Sequence, residues 1–308
     1  MEHRTLGKTG LDVSVVGFGC APAAFLKSDQ EQAANLIEAL LDQGMNLIDT
    51  ATSYPGSHEF LGQYLSKRRK DYVLVSKLGQ RLGGLDAPPW SAEVVRVSVE
   101  RALMALRTDR IDVMLLHSCD LKTLQNGEAM GALVKARDSG KVKHIGYSGD
   151  NDAATWAAQQ ADVAVIETSI SVVDQANISG VLSEAIKHNV GVIAKRPIAN
   201  AAWRDINSQE GMYRNYAATY TDRFVKLGLQ PADLGFSGAP NEAWPEIALR
   251  FTLSQPGVTA AIVGTTKLAN AEKNLDHAAK GPLPVAAIEK IRAAFKQADP
   301  QGQWTGQT

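Results

Sequence analysis

Short apolar runs without polar alternation recur along the chain, separated by longer stretches whose apolar positions keep helical spacing. The runs Val13–Gly17, Met45–Asp49, Tyr72–Ser76, Ile111–Leu116, Lys143–Tyr147, Val163–Ile166, Val190–Ala194 and Ala260–Val263 read as strands of a parallel sheet buried on both faces. Between them, Ser28-Asp29-Gln30-Glu31 has the form of a capping box, and Gly44 stands where the following helix should end. Ser91 opens another helix with Val95, Val99, Leu103 and Leu106 along one face, and Asn126 and Gly140 bracket a third. The run Lys67-Arg68-Arg69-Lys70 reads as the solvated last turn of a helix, where cations suit the dipole.

Eight strands alternating with helices, uninterrupted by a Pro/Gly/Ser linker, predict an α/β fold: one (β/α)8 barrel domain over residues 1–308. An open doubly wound sheet would carry its dinucleotide fingerprint after the first strand. Gly17-Phe18-Gly19-Cys20-Ala21-Pro22 lacks the third glycine, and no helix opens on it. Two segments exceed a minimal barrel. Residues 78–90 hold Gly79, Gly83, Gly84, Pro88, Pro89 and Trp90; residues 197–240 hold an extra helix near Tyr213–Leu227. Both follow strand ends, at the face where barrels build their sites. Trp90, Trp203 and Phe25 read equally as pocket walls or as loop anchors.

Composition narrows the function. Basic and acidic residues number 32 and 33, a net charge of −1, without the basic excess of a nucleic-acid binder. Cys20 and Cys119 are too few for a disulfide framework or a zinc motif and read as small buried residues. His3, His58, His144, His188 and His277 lack metal-ligand spacing and read as surface or capping histidines, so no metal is expected. The start of the chain has no apolar run behind its charges, and no stretch reaches the roughly 18 apolar residues of a membrane span. The expectation is a cytoplasmic, soluble protein with a small-molecule partner, no nucleic acid, no membrane, and a monomeric state.

Polar residues end consecutive strands. Asp49 closes the second, with Tyr54 five residues on; Lys77 follows the third and His117 the fourth. Adjacent strand ends converge on one mouth, so the four can share a site. Singly, each has a structural reading; together on neighbouring strands they point to catalysis. A phenol is a poor acid at neutral pH, a nearby ammonium favours its phenolate, and a carboxylate holds that ammonium in place. A carbonyl accepting hydride gains negative charge on oxygen, where Tyr54 would give a proton and His117 a hydrogen bond.

At these residues the chain resembles the aldo-keto reductase family along nearly its whole length. The stretch Arg4–Ser14 is similar to the family's N-terminal hairpin, and Asn46–Ala51 with Tyr54 to its Asp/Tyr signature. The pattern from Arg96 through Glu100, Thr108 and Asp109 to His117 is similar to the approach to the catalytic His. Ala248-Leu249-Arg250 with Ser254–Val258 resembles the lead into the last strand. The resemblance implies a catalytic tetrad of Asp49, Tyr54, Lys77 and His117, with Tyr54 as general acid, and a nicotinamide cofactor, NADP(H) with NAD(H) as the alternative. It implies Ser148 at the carboxamide, followed by Gly149 where an Asn is usual, and Glu167 where a Gln is usual. Lys195 stands in place of a stacking aromatic, with Arg196 and Pro197 beside it. Gly264, Thr265, Thr266 and Lys267 lead into the last barrel helix, whose N-terminus suits a phosphate. Asn270 replaces a common 2′-phosphate Arg, with Lys267 and Lys273 nearby, and Asn274 matches an adenine contact. The implied activity is reduction of an aldehyde or ketone. Its rivals are an NAD-dependent sugar or polyol dehydrogenase and a cofactor-binding regulatory subunit.

Overall fold

The computed structural model describes residues 1–25, 29–208 and 213–307. An antiparallel pair, β1 (His3–Thr5) and β2 (Asp12–Ser14), precedes eight parallel strands. These are β3 (Val16–Gly19), β4 (Leu47–Asp49), β5 (Val73–Leu78), β6 (Ile111–His117), β7 (Val142–Ser148), β8 (Val163–Ser169), β9 (Gly191–Lys195) and β10 (Ala260–Val263). They pair in chain order, and β10 closes on β3. The expected barrel, with its hairpin and extra helices, is the observed one.

Its interior is one apolar cluster that includes Leu47, Val75, Leu115, Val165, Ile193 and Ala260, and Leu6 and Val13 of the hairpin plug it from below. Arg4 fastens the plug by donating to the carbonyls of Leu253 (3.2 Å) and Val258 (3.0 Å). A strand alternates its faces, so a residue two positions beyond an interior residue also points inward. Counting on from Leu47, Val75, Leu115, Val165 and Ile193 gives Asp49, Lys77, His117, Glu167 and Lys195. The packing pattern of the core thus aims the polar residues of the mouth.

Several expectations need correction. The first run, Val13–Gly17, divides: Val13 belongs to β2, and the barrel strand starts at Val16. Asn46 causes the break: its Oδ1 accepts from the Ser14 amide (2.7 Å), and its own backbone amide donates to Ser14 Oγ (3.0 Å). Of the capping box, Asp29 is the cap of the Gln30–Asp42 helix, accepting from the Gln32 amide (3.0 Å); Ser28 lies outside the described residues. Gly44 follows with φ +89°. Ser91 caps Ala92–Leu106 as expected. Asn126 does not open the next helix; it ends a short Leu121–Asn126 helix, and Gly127 at φ +77° turns the chain into Glu128–Asp138. Lys67–Lys70 lie in a 3-10 turn, Ser66–Asp71, and are not simply solvated. Arg68 pairs with Asp42 (2.7 Å) and Asp71 (2.8 Å), and Arg69 with the buried Asp112 (2.6 Å). The extra helix is found at Tyr213–Leu227.

Both long loops are anchored by their tryptophans. Trp90 lies over Gly79, where a Cβ would come within 2.4 Å of its ring, and its amide donates to the Gly79 carbonyl (2.6 Å). Trp203 packs among Trp244 and Phe224. Phe25 alone of the three reaches the mouth. No helix among the described residues is long and apolar enough to cross a membrane.

Candidate active site

Asp49, Tyr54, Lys77 and His117 line one cavity of about 270 Å³ at the C-terminal end of the barrel, together with Ser148 and Glu167. A roomier groove of about 470 Å³ lies between the Ala92–Leu106 and Glu128–Asp138 helices. It sits on the barrel's outside, away from the strand ends, and its Glu100 and Lys141 are spent on each other.

Lys77 is the centre of the mouth. Its Nζ donates to Asp49 Oδ2 (2.5 Å) and to the Thr50 carbonyl (3.0 Å), and it lies 3.3 Å from Glu167 Oε2. All three side chains are almost fully buried. Burial opposes the charge on Lys77, but Asp49 and Glu167 outweigh it and hold its pKa above the ordinary value. Burial, reinforced by Glu167, pushes the Asp49 carboxyl well above its usual range against the pull of Lys77. The two shifts describe one cluster, a firmly held ammonium with one carboxyl more than it needs.

Tyr54 rises from the loop after β4, with Lys77 Nζ 5.4 Å from its ring centre and Phe25 edge-on at 5.5 Å. Its ring stands 6.3 Å from that of His117. Burial, then the cations Lys77, Lys195 and Arg196, drive His117 down to about 3, so the imidazole is neutral at any physiological pH. Ser53 Oγ lies 3.4 Å from His117 Nδ1; a hydroxyl donating there leaves Nε2–H to face the cavity.

Strand register sets His117, Ser148 and Glu167 side by side across β6, β7 and β8. Ser148 Oγ donates to Glu167 Oε1 (3.3 Å), while Glu167 Oε2, despite its closeness to Lys77, accepts no hydrogen bond from the described residues. Gly149 leaves room for the Tyr147 hydroxyl, which a Cβ would meet at 2.2 Å. Lys195 pairs with Asp150 (3.1 Å). Asp150 is buried and also accepts from Thr168, Ser169 and Asn177. Burial raises this carboxyl less than Lys195, the Ser169 amide and Arg196 lower it, so it stays below the ordinary range.

Arg196, Pro197 and Gly264 also line the cavity. Arg196 donates to Ser169 Oγ (3.1 Å), to the Tyr220 hydroxyl (3.2 Å) and to the Gln307 carbonyl. The segment 304–307 therefore reaches the mouth: Gly306 exchanges hydrogen bonds with Asn151 (2.7 and 3.0 Å), and Arg223 donates to Thr305 (2.9 Å). Arg196, Ala199, Asn200 and Ala201 all have positive φ, a strained run for residues with a Cβ.

The residues expected around the outer half of a dinucleotide are spread along the start of the Leu268–Ala279 helix. Thr265 Oγ1 accepts from the Lys267 amide (3.2 Å); Thr266, Lys267, Asn270 and Lys273 are exposed, and Asn274 is buried against β3. Lys267 and Lys273 form no salt bridge among the described residues, so two free cations stand where a phosphate would be expected.

Sequence reasoning missed the Asp150–Ser169–Asp174–Tyr220 network and the arrival of segment 304–307. It also missed His58, read as a surface or capping residue. His58 is buried beside Ser76 Oγ (2.9 Å), with Lys77 near enough to help burial hold it at about 4. The signal for His58 was its place in the first turn of Ser57–Tyr64, four residues after Tyr54. Cys20 and Cys119 are buried, and burial pushes both thiols up to about 12.

The aldo/keto reductase family model matches residues 16–296. The chain is 26% identical to L-galactose dehydrogenase of Arabidopsis thaliana, over 89% of this chain and 87% of that protein. It is 24% identical to an uncharacterised oxidoreductase of Bacillus subtilis, over 96% of this chain and 97% of that one. A solved Pseudomonas aeruginosa structure, described as an aldo-keto reductase, superposes with a TM-score of 0.70 at 30% identity, covering 90% of this chain and 95% of its own. The barrel, the order of its motifs and these likenesses agree that the chain belongs to the aldo/keto reductase family, oxidoreductases that work between carbonyl compounds and alcohols.

Proposed function

We propose that the protein reduces a small aldehyde or ketone with NADPH, Tyr54 acting as the general acid. The observation that carries this reading is the buried ammonium of Lys77, fixed by Asp49 and facing the Tyr54 ring across a cavity whose opposite wall is a neutral histidine. When bound, the cofactor supplies hydride to the carbonyl carbon. The protein's part is to hold the carbonyl oxygen between Tyr54 and His117, to give it the phenolic proton, and to keep the resulting phenolate beside Lys77. A neutral His117 orients the oxygen through its N–H without competing as a proton donor. The apolar wall of Phe25, Pro22, Pro197 and Ile198 favours a compact carbonyl compound of limited polarity.

Glu167 and Ser148 suit a carboxamide, one offering an acceptor and the other a hydroxyl. Lys267 at the start of the Leu268–Ala279 helix and Lys273 in its second turn, in no salt bridge among the described residues, support NADPH over NADH. Asn270, where an Arg would clamp a 2′-phosphate directly, keeps an NAD-dependent sugar or polyol dehydrogenase as the second reading. Titration of both reduced cofactors by tryptophan fluorescence separates the two: NADPH binds more tightly, and the preference weakens as salt rises. Equal affinity, or tighter NADH, overturns the NADP assignment. Single-turnover reduction of an aldehyde by Tyr54→Phe tests the acid: the rate falls about 10²–10⁴-fold with cofactor affinity nearly unchanged. Near wild-type hydride transfer in that variant overturns the role of Tyr54. Turnover with any simple aldehyde separates both readings from that of a regulatory subunit.

A further inference from the structure

The charged groups of the mouth divide into three sets. Lys195 is in direct contact with Asp150 (3.1 Å) and reaches Glu167 only through a weaker, longer-range attraction. Arg196 is matched through the Tyr220 hydroxyl, which donates in turn to Asp174 Oδ2 (2.8 Å). Lys77, the deepest of the three cations, faces two carboxyls, Asp49 and Glu167. This last set has an acid in excess. Its side chains are only 1–2% exposed, so water cannot spread the surplus charge. Two carboxylates and one ammonium, shut away from solvent, lower their energy by taking up a proton. The geometry leaves a place for it. The carboxyls of Asp49 and Glu167 adjoin, and Glu167 Oε2 is buried with no hydrogen bond to accept among the described residues. A hydrogen on either carboxyl would bridge them and satisfy that atom.

We propose that Asp49 and Glu167 share one stored proton across Lys77, and that this proton restores the Tyr54 hydroxyl after it has been given to substrate. The role rests on the reaction proposed above. It assigns Glu167 a task that an amide side chain could not perform, since an amide has no proton to lend at neutral pH. The Tyr54 O–H bond breaks, its proton forms the alcohol O–H, and hydride has already joined the carbonyl carbon. The phenolate takes a proton from Lys77 Nζ as Nζ takes the stored proton from the carboxyl pair, so that Lys77 remains an ammonium throughout. The cluster is left with two carboxylates and one ammonium, and refills from water as the alcohol departs. His117 and His58 are neutral neighbours, and Lys195 and Arg196 are engaged by Asp150 and Tyr220, so none of them competes as the source.

Two measurements decide it. The infrared spectrum of the protein alone, taken at pH 8 so that Asp174 with its pKa near 6 is ionised, contains the carbonyl stretch of a neutral carboxylic acid. That band disappears in Glu167→Gln and in Asp49→Asn. Its absence from the wild type overturns the proposal whether or not the variants fold, and so does its survival in a folded Glu167→Gln. The second measurement follows one turnover of NADPH and an aldehyde in weak buffer with a pH-indicator dye. In the wild type, proton uptake from water lags behind the loss of NADPH absorbance; in Glu167→Gln the two coincide. The band without the lag overturns delivery to Tyr54. A wild type that oxidises no NADPH with any aldehyde overturns the proposed reaction, and delivery with it, while the band still decides the shared proton.

Discussion

His58 shows how one buried imidazole ties stability to pH. Its folded value near 4 lies below the ordinary 6.5 because burial, helped by Lys77, excludes the charged form. The unfolded chain therefore binds a proton that the folded chain refuses. The stability this confers is complete above pH 6.5 and is lost as pH falls toward 4. Replacing His58 with Gln removes the titration but also the fitted contact to Ser76. The variant is less stable than the wild type at pH 7.5, and the gap narrows by roughly 2 kcal/mol at pH 5. Urea melts of both proteins at the two pH values check it; a gap independent of pH would show that His58 titrates normally. Comparing the variant with the wild type isolates His58 from Asp49 and Asp174, whose raised pKa values act in the opposite direction.

Among the helices, the contact between Ser57–Tyr64 and Ala92–Leu106 depends on Gly62. A Cβ there would sit 1.9 Å from the Ala105 carbonyl oxygen, a backbone atom that cannot swing aside. Alanine in a helix is worth about 1 kcal/mol over glycine. Forcing two packed helices apart costs more, so Gly62→Ala is destabilising by roughly 2 kcal/mol net in urea. A stabilised variant would mean that the helices separate freely. This is also the scale at which the sequence was most legible. Parallel strands buried on both faces leave continuous apolar runs, and every barrel strand was recognisable from one, with a polar residue at or beside the end of β4, β5 and β6. Asp49, Lys77 and His117 could be placed at one mouth for that reason. The boundaries that failed were set by side chains reaching across the chain. Asn46 interrupts the first run by binding Ser14, and Asp112 pulls Arg69 out of solvent. Neither partner is marked by local pattern.

In the whole molecule, the mouth is completed from far along the chain. Asn151 meets Gly306, Asp174 accepts from the Gln307 amide (3.3 Å), and Arg196 donates to the Gln307 carbonyl. Such pairs, more than a hundred residues apart, leave no periodic trace, which is why this half of the site was not foreseen. Ending the chain after Gln303 strips partners from Asn151, Arg196 and Arg223 at once. Each buried group left without its hydrogen bond costs about 1–3 kcal/mol. The truncated protein is less stable by roughly 3 kcal/mol, and it binds NADPH more weakly, since Arg196 keeps Ser169 and Tyr220 but loses the Gln307 carbonyl that helps fix it at the cavity wall. An unchanged urea midpoint would show that the segment merely rests on the surface.

That dependence has a consequence during synthesis. A ribosome releases the chain from its N-terminus, so the plug at the barrel floor waits for Leu253 and Val258 before Arg4 finds its acceptors. Segment 304–307 emerges later still, after every strand. The nascent barrel therefore closes at its floor before its mouth is finished, and Arg196, Asn151 and Arg223 wait for their partners in residues 305–307. A bulky domain placed directly after residue 307 would act at that moment, by slowing the segment's search for its seat, even if the folded protein tolerated it well.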